Sequence, residues 1–213
     1  MYHYRHLTLM FDVQGFILVG GASRRMGRDK AQLRLGPETM LERLAARLSP
    51  VTSSVTLVGG PQGYVGNSLP TVPDVYEKWG ALGGIHAALS AAKTDWSIVI
   101  ACDLPFVTRD LFERLKSFAD ESPHIDSIVP LQPDGRPQPV CALYRRQTCL
   151  PEIDRLVSAG EHTPRALLAN VRTRYVQFSE LSELPGAENF FLNLNTPEDF
   201  ERAKWLAENN DAL

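Results

Sequence analysis

A glycine-rich, cationic segment follows the first apolar stretch of the chain. It reads VGGASRRMGRDK from Val19 to Lys30 and holds three glycines, four cationic side chains and one acid. Glycines let the backbone approach a ligand closely, and N–H groups in such a loop can point at phosphate oxygens. Arg25 and Lys30 would neutralise phosphate charge. The segment therefore predicts a phosphate-binding loop. Alternatively, these charges are solvated, with Arg25 or Lys30 paired to Asp29.

Two widespread glycine-loop motifs do not match this segment. The dinucleotide fingerprint GxGxxG is absent, because the glycines fall at Gly20, Gly21 and Gly27. A Walker A loop needs four residues between its glycines and then a lysine. Here five residues separate Gly21 from Gly27, and Arg28 follows. Neither a dinucleotide site nor a P-loop is predicted.

A carboxylate stands at the end of another apolar stretch. Asp103 follows the run SIVIAC, which predicts a buried and central strand over 97–101. Open α/β sheets bind ligands at the carboxyl ends of their strands. The loop after Val19 leaves the sheet at that same end, so we expect it to meet Asp103. Alternatively, Asp103 is a helix cap or a loop acid.

Strand and helix patterns alternate through the first 120 residues, which predicts a mostly parallel sheet covered by helices on both faces. The predicted strands span 16–19, 54–58, 71–72, 97–101, 127–131, 140–144 and 174–178. The predicted helices span 40–48, 83–93, 111–119, 148–158, 163–170 and 197–208. Thr39 with Glu42 forms a predicted capping box for the first helix. No repeat or interdomain linker is visible, so one domain is expected over 1–213.

Composition narrows the function further. The net charge of −3 on 213 residues gives no sign of a nucleic-acid-binding protein. Three cysteines without a CxxC pair favour a reducing compartment over a disulfide or zinc framework. Residues 1–12 lack the apolar centre of a signal peptide, and no window has the roughly 18 apolar residues of a membrane span. We therefore expect a cytoplasmic protein that binds neither nucleic acid nor membrane.

Five ordered motifs resemble those of the molybdenum cofactor guanylyltransferases, in the nucleotidyltransferase superfamily. In chain order, they are Leu18 to Lys30, Asp74 with GALGGI at 80–85, ACDLPF at 101–106, GRPQPV at 135–140 with YRR at 144–146, and FLNLNTPED at 191–199. The first motif departs from the family pattern at Val19, where alanine is usual. The second departs from it at Ala81, where proline is usual.

This resemblance implies a three-layer α/β sandwich with a Rossmann-like sheet of the nucleotide-diphospho-sugar-transferase type. It implies transfer of GMP from GTP to the terminal phosphate of molybdopterin, with release of pyrophosphate. The Gly20-Gly21 pair favours guanine, since the related cytidylyltransferases typically have Ala-Gly there. A cytidylyltransferase, a transferase for another phosphorylated metabolite, and a non-catalytic GTP-binding protein stay open as alternatives.

The resemblance also implies roles on the nucleotide side, within residues 15–120. Arg25 and Lys30 would hold phosphates, and Asp103 would bind Mg²⁺. Asp74 would contact the sugar or base, or be only a turn acid. The backbone of Gly20 and Gly21 would lie near the base and phosphates. Leu18 would lie near the guanine, although it could equally be a core residue.

Residues 121–213 are the implied acceptor-binding half, and 1–14 a flexible extension. Asn193 and Asn195 would lie near the acceptor and metal, although Asn195 could serve only its own loop. Gly135 and Arg136 are further implied acceptor contacts, but Asp-Gly turn chemistry explains that stretch equally well. Other proteins of cofactor biosynthesis or molybdoenzyme maturation are possible partners.

Overall fold

A computed structural model describes residues 11–19, 30–60, 68–74, 76 and 79–209. Its strands are β1 Val13–Leu18, β2 Arg34–Leu35, β3 Glu38–Thr39, β4 Ser54–Val58, β5 Thr71–Val72, β6 Trp96–Ala101, β7 Ser127–Pro130, β8 Cys141–Arg145 and β9 Thr173–Val176. Its α-helices are α1 Met40–Leu48, α2 Gly80–Ala91, α3 Arg109–Glu121, α4 Arg146–Ser158, α5 Pro164–Asn170 and α6 Pro197–Asn209.

Seven of the described strands form one sheet in the order β5-β4-β1-β6-β8-β7-β9. β6 is central, as predicted, and pairs in parallel with β1. β8 runs antiparallel to both of its neighbours, whereas the other described pairs in this sheet are parallel. The carboxyl ends of β1, β4 and β6 therefore lie at one end of the sheet, which we call the carboxyl end. The opposite end is the amino end.

Apolar residues alternate between the two faces of the sheet, as the two-residue period of a strand requires. Ile98 and Ile100 of β6 pack with α1 and α3, whereas Val99 packs with α2, α4 and α5. A smaller cluster joins α6 to the β2–β3 hairpin region through Leu194 and Phe106. The helices thus cover both faces, and the predicted three-layer arrangement is confirmed.

Most predicted elements form close to their predicted bounds. α1 has the predicted bounds, and its capping box is present: Thr39 N–H donates to Glu42 Oε2 at 2.7 Å, and Glu42 N–H donates to Thr39 Oγ1 at 3.1 Å. β1 begins at Val13, earlier than predicted, because the polar Gln14 is accommodated by a 3.0 Å hydrogen bond to Ser54. Val13 and Gln14 therefore belong to the sheet and not to an extension.

α2 differs most from its prediction, because it begins at Gly80, three residues before the predicted start. Leu82 is fully buried in the core cluster on this face of the sheet, which packs the stretch before Gly83 as helix. Cys102, which follows β6, is buried in the core cluster on one face of the sheet. Within the described ranges, no helix is long and apolar enough to cross a bilayer.

Candidate active site

A cavity of about 310 Å³ lies at the carboxyl end of the sheet. Five of the predicted site residues line it, and they come from four separate parts of the chain: Leu18, Lys30, Asp74, Asp103 and Asn193. Part of its apolar lining comes from the last residues of three neighbouring strands: Val58 of β4, Leu18 of β1 and Ala101 of β6. The structure therefore places these five predicted residues around one space.

The order of the strands brings these residues together. Beyond the strand ends, Val19 N–H donates to Val58 O at 2.9 Å, and Cys102 N–H donates to Leu18 O at 3.1 Å. The hydrogen bonding of the sheet thus continues past its last paired residues. Asp103 consequently emerges beside the point where the chain leaves β1, as expected from parallel strands.

Lys30 and Asp103 meet at this cavity. Lys30 Nζ lies 3.5 Å from Asp103 Oδ2 and 3.0 Å from Asn195 Oδ1. The exposed fractions of the Lys30 and Asp103 side chains are only 15% and 24%, so both charges are partly shielded from water. Such shielding strengthens their interaction with a charged ligand. Within the described ranges, the Lys30 side chain thus donates to Asp103 and Asn195.

Gly20, Gly21 and Arg25 lie outside the described residues. The two residues that flank their segment, Val19 and Lys30, both line the cavity. The expected meeting of this segment with Asp103 is therefore observed at its two flanks. The roles of Gly20, Gly21 and Arg25 stay predictions.

Asp74 stands in a turn and also lines the cavity. Its Oδ1 accepts a 3.0 Å hydrogen bond from Tyr76 N–H, which is the geometry of a turn acid, and the residue also lines the cavity. A Cβ at Gly83 would lie 2.5 Å from Tyr76 O and 3.2 Å from Asp74 Oδ1. Because only glycine leaves that space, α2 can pack directly against the turn. Gly83 therefore permits close packing of α2 against the turn that contains Asp74.

Leu18 also has two roles. It belongs to the core cluster between the sheet and α2, and it lines the cavity. A Cβ at Gly84 would lie 3.0 Å from Leu18 Cδ1, so this glycine allows α2 to approach the side chain closely. Leu18 is thus a core residue whose position is set by a neighbouring helix.

The start of α2 contributes small residues that were not predicted as site residues. Gly80, Ala81 and Gly84 line the cavity. Trp79, which precedes the helix, supplies no side-chain cap. Backbone N–H groups at a helix N-terminus attract anions. The small side chains of the motif GALGG were the available signal for this close approach.

The acceptor-side predictions divide into two groups. Asn193 lines the cavity and Asn195 contacts Lys30, so both lie near Asp103. Gly135 and Arg136 instead lie in an exposed turn, outside the cavity lining. Gly135 has a φ of +81°, and Arg136 Nε donates to Asp134 Oδ2 at 2.6 Å. The turn interpretation therefore accounts for the conformation of this stretch.

The YRR stretch of the fourth motif lies far from Asp103. β8 runs antiparallel to β6, so Arg145 stands opposite Trp96, at the amino end of the sheet. The first residue of β8, Cys141, stands opposite Ile100 near the cavity. The family resemblance grouped YRR with the 135–140 segment in one acceptor-side motif, but the strand direction separates the two by the length of β8.

The donor atoms at the cavity suit a divalent metal. Asp103 offers a carboxylate, and Asn193 and Asn195 carry amide oxygens nearby. The described ranges contain no cluster of three or more acidic, histidine or cysteine side chains that could hold a metal ion. Mg²⁺ is usually bound by one or two carboxylates together with substrate phosphates and water. One carboxylate with neighbouring amides therefore fits a metal that arrives with a nucleotide.

The sequence of this chain is similar to that of known nucleotidyltransferases. Residues 15–177 match the MobA-like NTP transferase domain. The probable molybdenum cofactor guanylyltransferase of Pelotomaculum thermopropionicum is 36% identical over 202 residues, which cover 94% of this chain and 96% of that protein. The molybdenum cofactor guanylyltransferase of Desulfosudis oleivorans is 32% identical over 197 residues, covering 92% and 96%.

A solved structure supports the same conclusion. The molybdopterin-guanine dinucleotide biosynthesis protein A of Archaeoglobus fulgidus superposes with a TM-score of 0.77 at 25% identity, covering 92% of this chain and 98% of that one. The fold alone is shared with the 2-C-methyl-D-erythritol 4-phosphate cytidylyltransferase of Thermus thermophilus, at a TM-score of 0.68 and 19% identity, covering 92% and 99%. The chain is therefore a nucleotidyltransferase that belongs to the MobA-like NTP transferase family.

Proposed function

We propose that this protein transfers GMP from GTP to the terminal phosphate of molybdopterin and releases pyrophosphate. The observation that carries the proposal is the meeting of Lys30, Asp103 and Asn195 beside a cavity at the carboxyl end of the sheet. This arrangement provides one cation and one carboxylate at the point where a nucleoside triphosphate and its metal would enter. Family membership supports the same chemistry.

The nucleotide would occupy the space between β1 and the start of α2. Leu18 would contact the base, and Asp74 the base or sugar. Lys30 and the segment that contains Gly20, Gly21 and Arg25 would hold the phosphates. Support for the last placement is that both flanks of the segment line the cavity.

The reaction needs little acid–base chemistry. The attacking oxygen belongs to a phosphate monoester, which is already an anion, so no strong general base is required. It forms a bond to the α-phosphorus of GTP, and the bond to the bridging oxygen of the β-phosphate breaks. Catalysis then depends mainly on positioning and on neutralising charge. Lys30 would do both at the phosphates.

Asp103, with Asn193 beside it, would hold a divalent metal, for which we propose Mg²⁺. When bound, Mg²⁺ neutralises phosphate charge and favours departure of pyrophosphate. Lys30 lies 3.5 Å from the same carboxylate and so keeps it oriented towards the cavity. The 24% exposure of Asp103 leaves it accessible from that space.

The acceptor would approach from the side formed by the second half of the chain. Asn193 and the exposed Asn195 are our proposed contacts, with Gly135 and Arg136 as more distant ones. Residues 15–120 would then carry the nucleotide and 121–213 the acceptor. We place the reaction in the cytoplasm, where the three free, buried cysteines would stay reduced. Proteins that deliver or receive the cofactor would be its partners.

A nucleotide panel tests the proposal. The protein is incubated with molybdopterin, Mg²⁺ and each of GTP, CTP, ATP and UTP, and pyrophosphate and the dinucleotide product are measured. We expect the guanine dinucleotide with GTP. A cytosine dinucleotide would establish the cytidylyltransferase alternative. Tight binding of GTP without pyrophosphate release would instead identify a binding protein and refute the proposal.

A further inference from the structure

The loop before α6 is held by a carboxylate at its own helix start. Asp199 Oδ2 accepts hydrogen bonds from Asn195 N–H at 3.0 Å and from Thr196 N–H at 2.9 Å. In return, Asp199 N–H donates to Thr196 Oγ1 at 3.1 Å. This is a capping box with aspartate in the acidic position, extended by one residue into the loop. One side chain thus fixes two successive backbone groups.

The same loop is attached to the candidate active site on its other side. Leu194 N–H donates to Asp103 O at 3.0 Å, and Asn195 Oδ1 accepts from Lys30 Nζ at 3.0 Å. Leu194 itself is fully buried in the cluster that packs α6 against the hairpin region. The backbone between Leu194 and Thr196 is therefore restrained at three points, and Asn195 presents its amide oxygen to Lys30 from that restrained backbone.

Electrostatics favours this arrangement. The pKa of Asp199 lies below its ordinary value, chiefly because its carboxylate accepts from Asn195 N–H, with contributions from the bonds to Thr196 and from the positive charge of Lys30. The carboxylate is thus ionised at neutral pH, and its negative charge attracts the ammonium group of Lys30. If the carboxylate were removed, the two N–H groups would turn to water, and Asn195 would lose its fixed direction.

We propose that Asp199 is a positioning residue for Lys30: it holds Asn195 in place, and Asn195 holds the lysine ammonium beside Asp103. This inference rests on the proposed function to the extent that Lys30 binds nucleotide phosphates. Asp199 would touch neither substrate, so it would act only through the loop. The acid of this motif therefore serves the nucleotide site in addition to its helix.

The first test measures the affinity of a fluorescent GTP analogue with Mg²⁺ and no acceptor. We expect Asp199→Ala to weaken binding about fivefold, or ~1 kcal/mol. In a Lys30→Ala background the same change should add nothing, because the lysine it positions is gone. Thr163→Ala is the matched control: it removes the side-chain cap of α5 and should leave affinity unchanged. Equal, additive losses in both backgrounds would overturn the proposal.

The second test needs no nucleotide. Trace acetylation of the folded protein, read by mass spectrometry, compares the reactivity of Lys30 with that of the exposed Lys93. We expect Asp199→Ala to raise the relative labelling of Lys30 about threefold or more, since a lysine released from its hydrogen bonds reacts more readily. Asp199→Asn, which keeps a neutral acceptor, should give an intermediate value and replaces the alanine variant if that one fails to fold.

The two tests separate the inference from the function on which it rests. If the wild-type protein binds no GTP, the proposed function fails, and the labelling of Lys30 still decides whether Asp199 positions it. If Lys30→Ala weakens GTP binding but Asp199→Ala changes neither binding nor labelling, only the positioning role is refuted. Increased labelling together with weaker binding, absent in Thr163→Ala, supports it.

Discussion

Both ends of the central sheet carry charged side chains and a cavity, but the charges serve different purposes. At the amino end, the Arg145 guanidinium lies 4.8 Å over the ring of Trp96, its Nη1 donates to Pro123 O at 2.9 Å, and its Nε lies 3.4 Å from Asp95. The residue is thus bound to neighbours on three sides. These contacts tie the end of β8 to the start of β6 and to the segment before β7.

A second ion pair at the amino end joins Asp126 and Arg172. Asp126 accepts from Arg172 Nε at 2.7 Å and Nη2 at 2.9 Å, and from its backbone N–H at 3.1 Å. Asp126 is only 4% exposed and stands just before β7, while Arg172 stands just before β9. The pair therefore fastens the starts of two adjacent strands.

The carboxyl end also holds an ion pair, but its two charges are farther apart than those of Asp126 and Arg172 at the amino end. Lys30 and Asp103 stand 3.5 Å apart, longer than the bidentate contacts of Asp126, and both face a cavity. The amino-end cavity is the larger, at about 520 Å³ against about 310 Å³. The comparison teaches that the candidate active site is not chosen by cavity size. What distinguishes the carboxyl end is the meeting of a lysine, an aspartate and two asparagines from distant parts of the chain.

The largest expected effect comes from removing the carboxylate at the carboxyl end. Asp103→Ala should lower transfer by ~10³-fold or more, because the metal and the phosphates lose their charged partner. The fold should persist, since Leu194 is bound by the backbone carbonyl of Asp103 and not by its side chain. Pyrophosphate release measures the loss. Asp95→Ala, at the amino end, is the control, and near-normal turnover of Asp103→Ala would contradict the metal role.

Lys30→Ala should have the next largest effect, weakening GTP binding by about tenfold through loss of a charge-assisted contact to phosphate. Titration with a fluorescent GTP analogue measures it. Lys93→Ala removes the same charge from the amino-end cavity and should leave the affinity unchanged. If both variants lost affinity equally, net charge and not the position of Lys30 would be responsible.

Arg145→Ala tests the comparison from the other side. Loss of its ring contact and hydrogen bond should lower the free energy of unfolding by about 1–2 kcal/mol, seen in urea titration. GTP affinity and transfer at 25 °C should stay within twofold of wild type. A fall in transfer at full occupancy of the folded state would show that the two ends are functionally coupled.

The smallest effect concerns acid pH. Hydrogen bonds from Arg172 hold the pKa of Asp126 below its ordinary value, so its extra stability is present at neutral pH and is lost as pH falls through that lowered pKa. Asp126→Asn should therefore cost about 1 kcal/mol at pH 7, and this difference should narrow below about pH 4. Urea unfolding at several pH values measures the gap. A gap independent of pH would exclude the ion pair as its cause.

Local signals in the sequence were enough for many elements. The capping box of Thr39 and Glu42 predicted the start of α1, and the buried run before Asp103 predicted the central strand. Because parallel strands end together, Asp103 and the chain leaving β1 could be placed at one end of the sheet without coordinates. The family motifs then identified most residues that line the cavity.

Other features depend on contacts between distant residues and had no local signal. The contact of Lys30 with Asn195 spans 165 positions, and the sequence places Asp199 in the fifth motif without indicating its link, through Asn195, to Lys30. The polar Gln14 argued against a strand at that position, but its side chain donates a hydrogen bond to Ser54 on the neighbouring strand, so β1 begins earlier than predicted. The direction of β8, which carries Arg145 away from Asp103, follows from strand pairing and not from its composition.

The sequence by itself therefore determined the family, the alternation of strands and helices, and the chemical groups available to the reaction. These follow from short-range patterns: apolar periodicity, caps, and motif spacing. Only the tertiary structure decided which charges face the cavity and which hold strands together, because that division depends on where each strand ends and in which direction its neighbour runs.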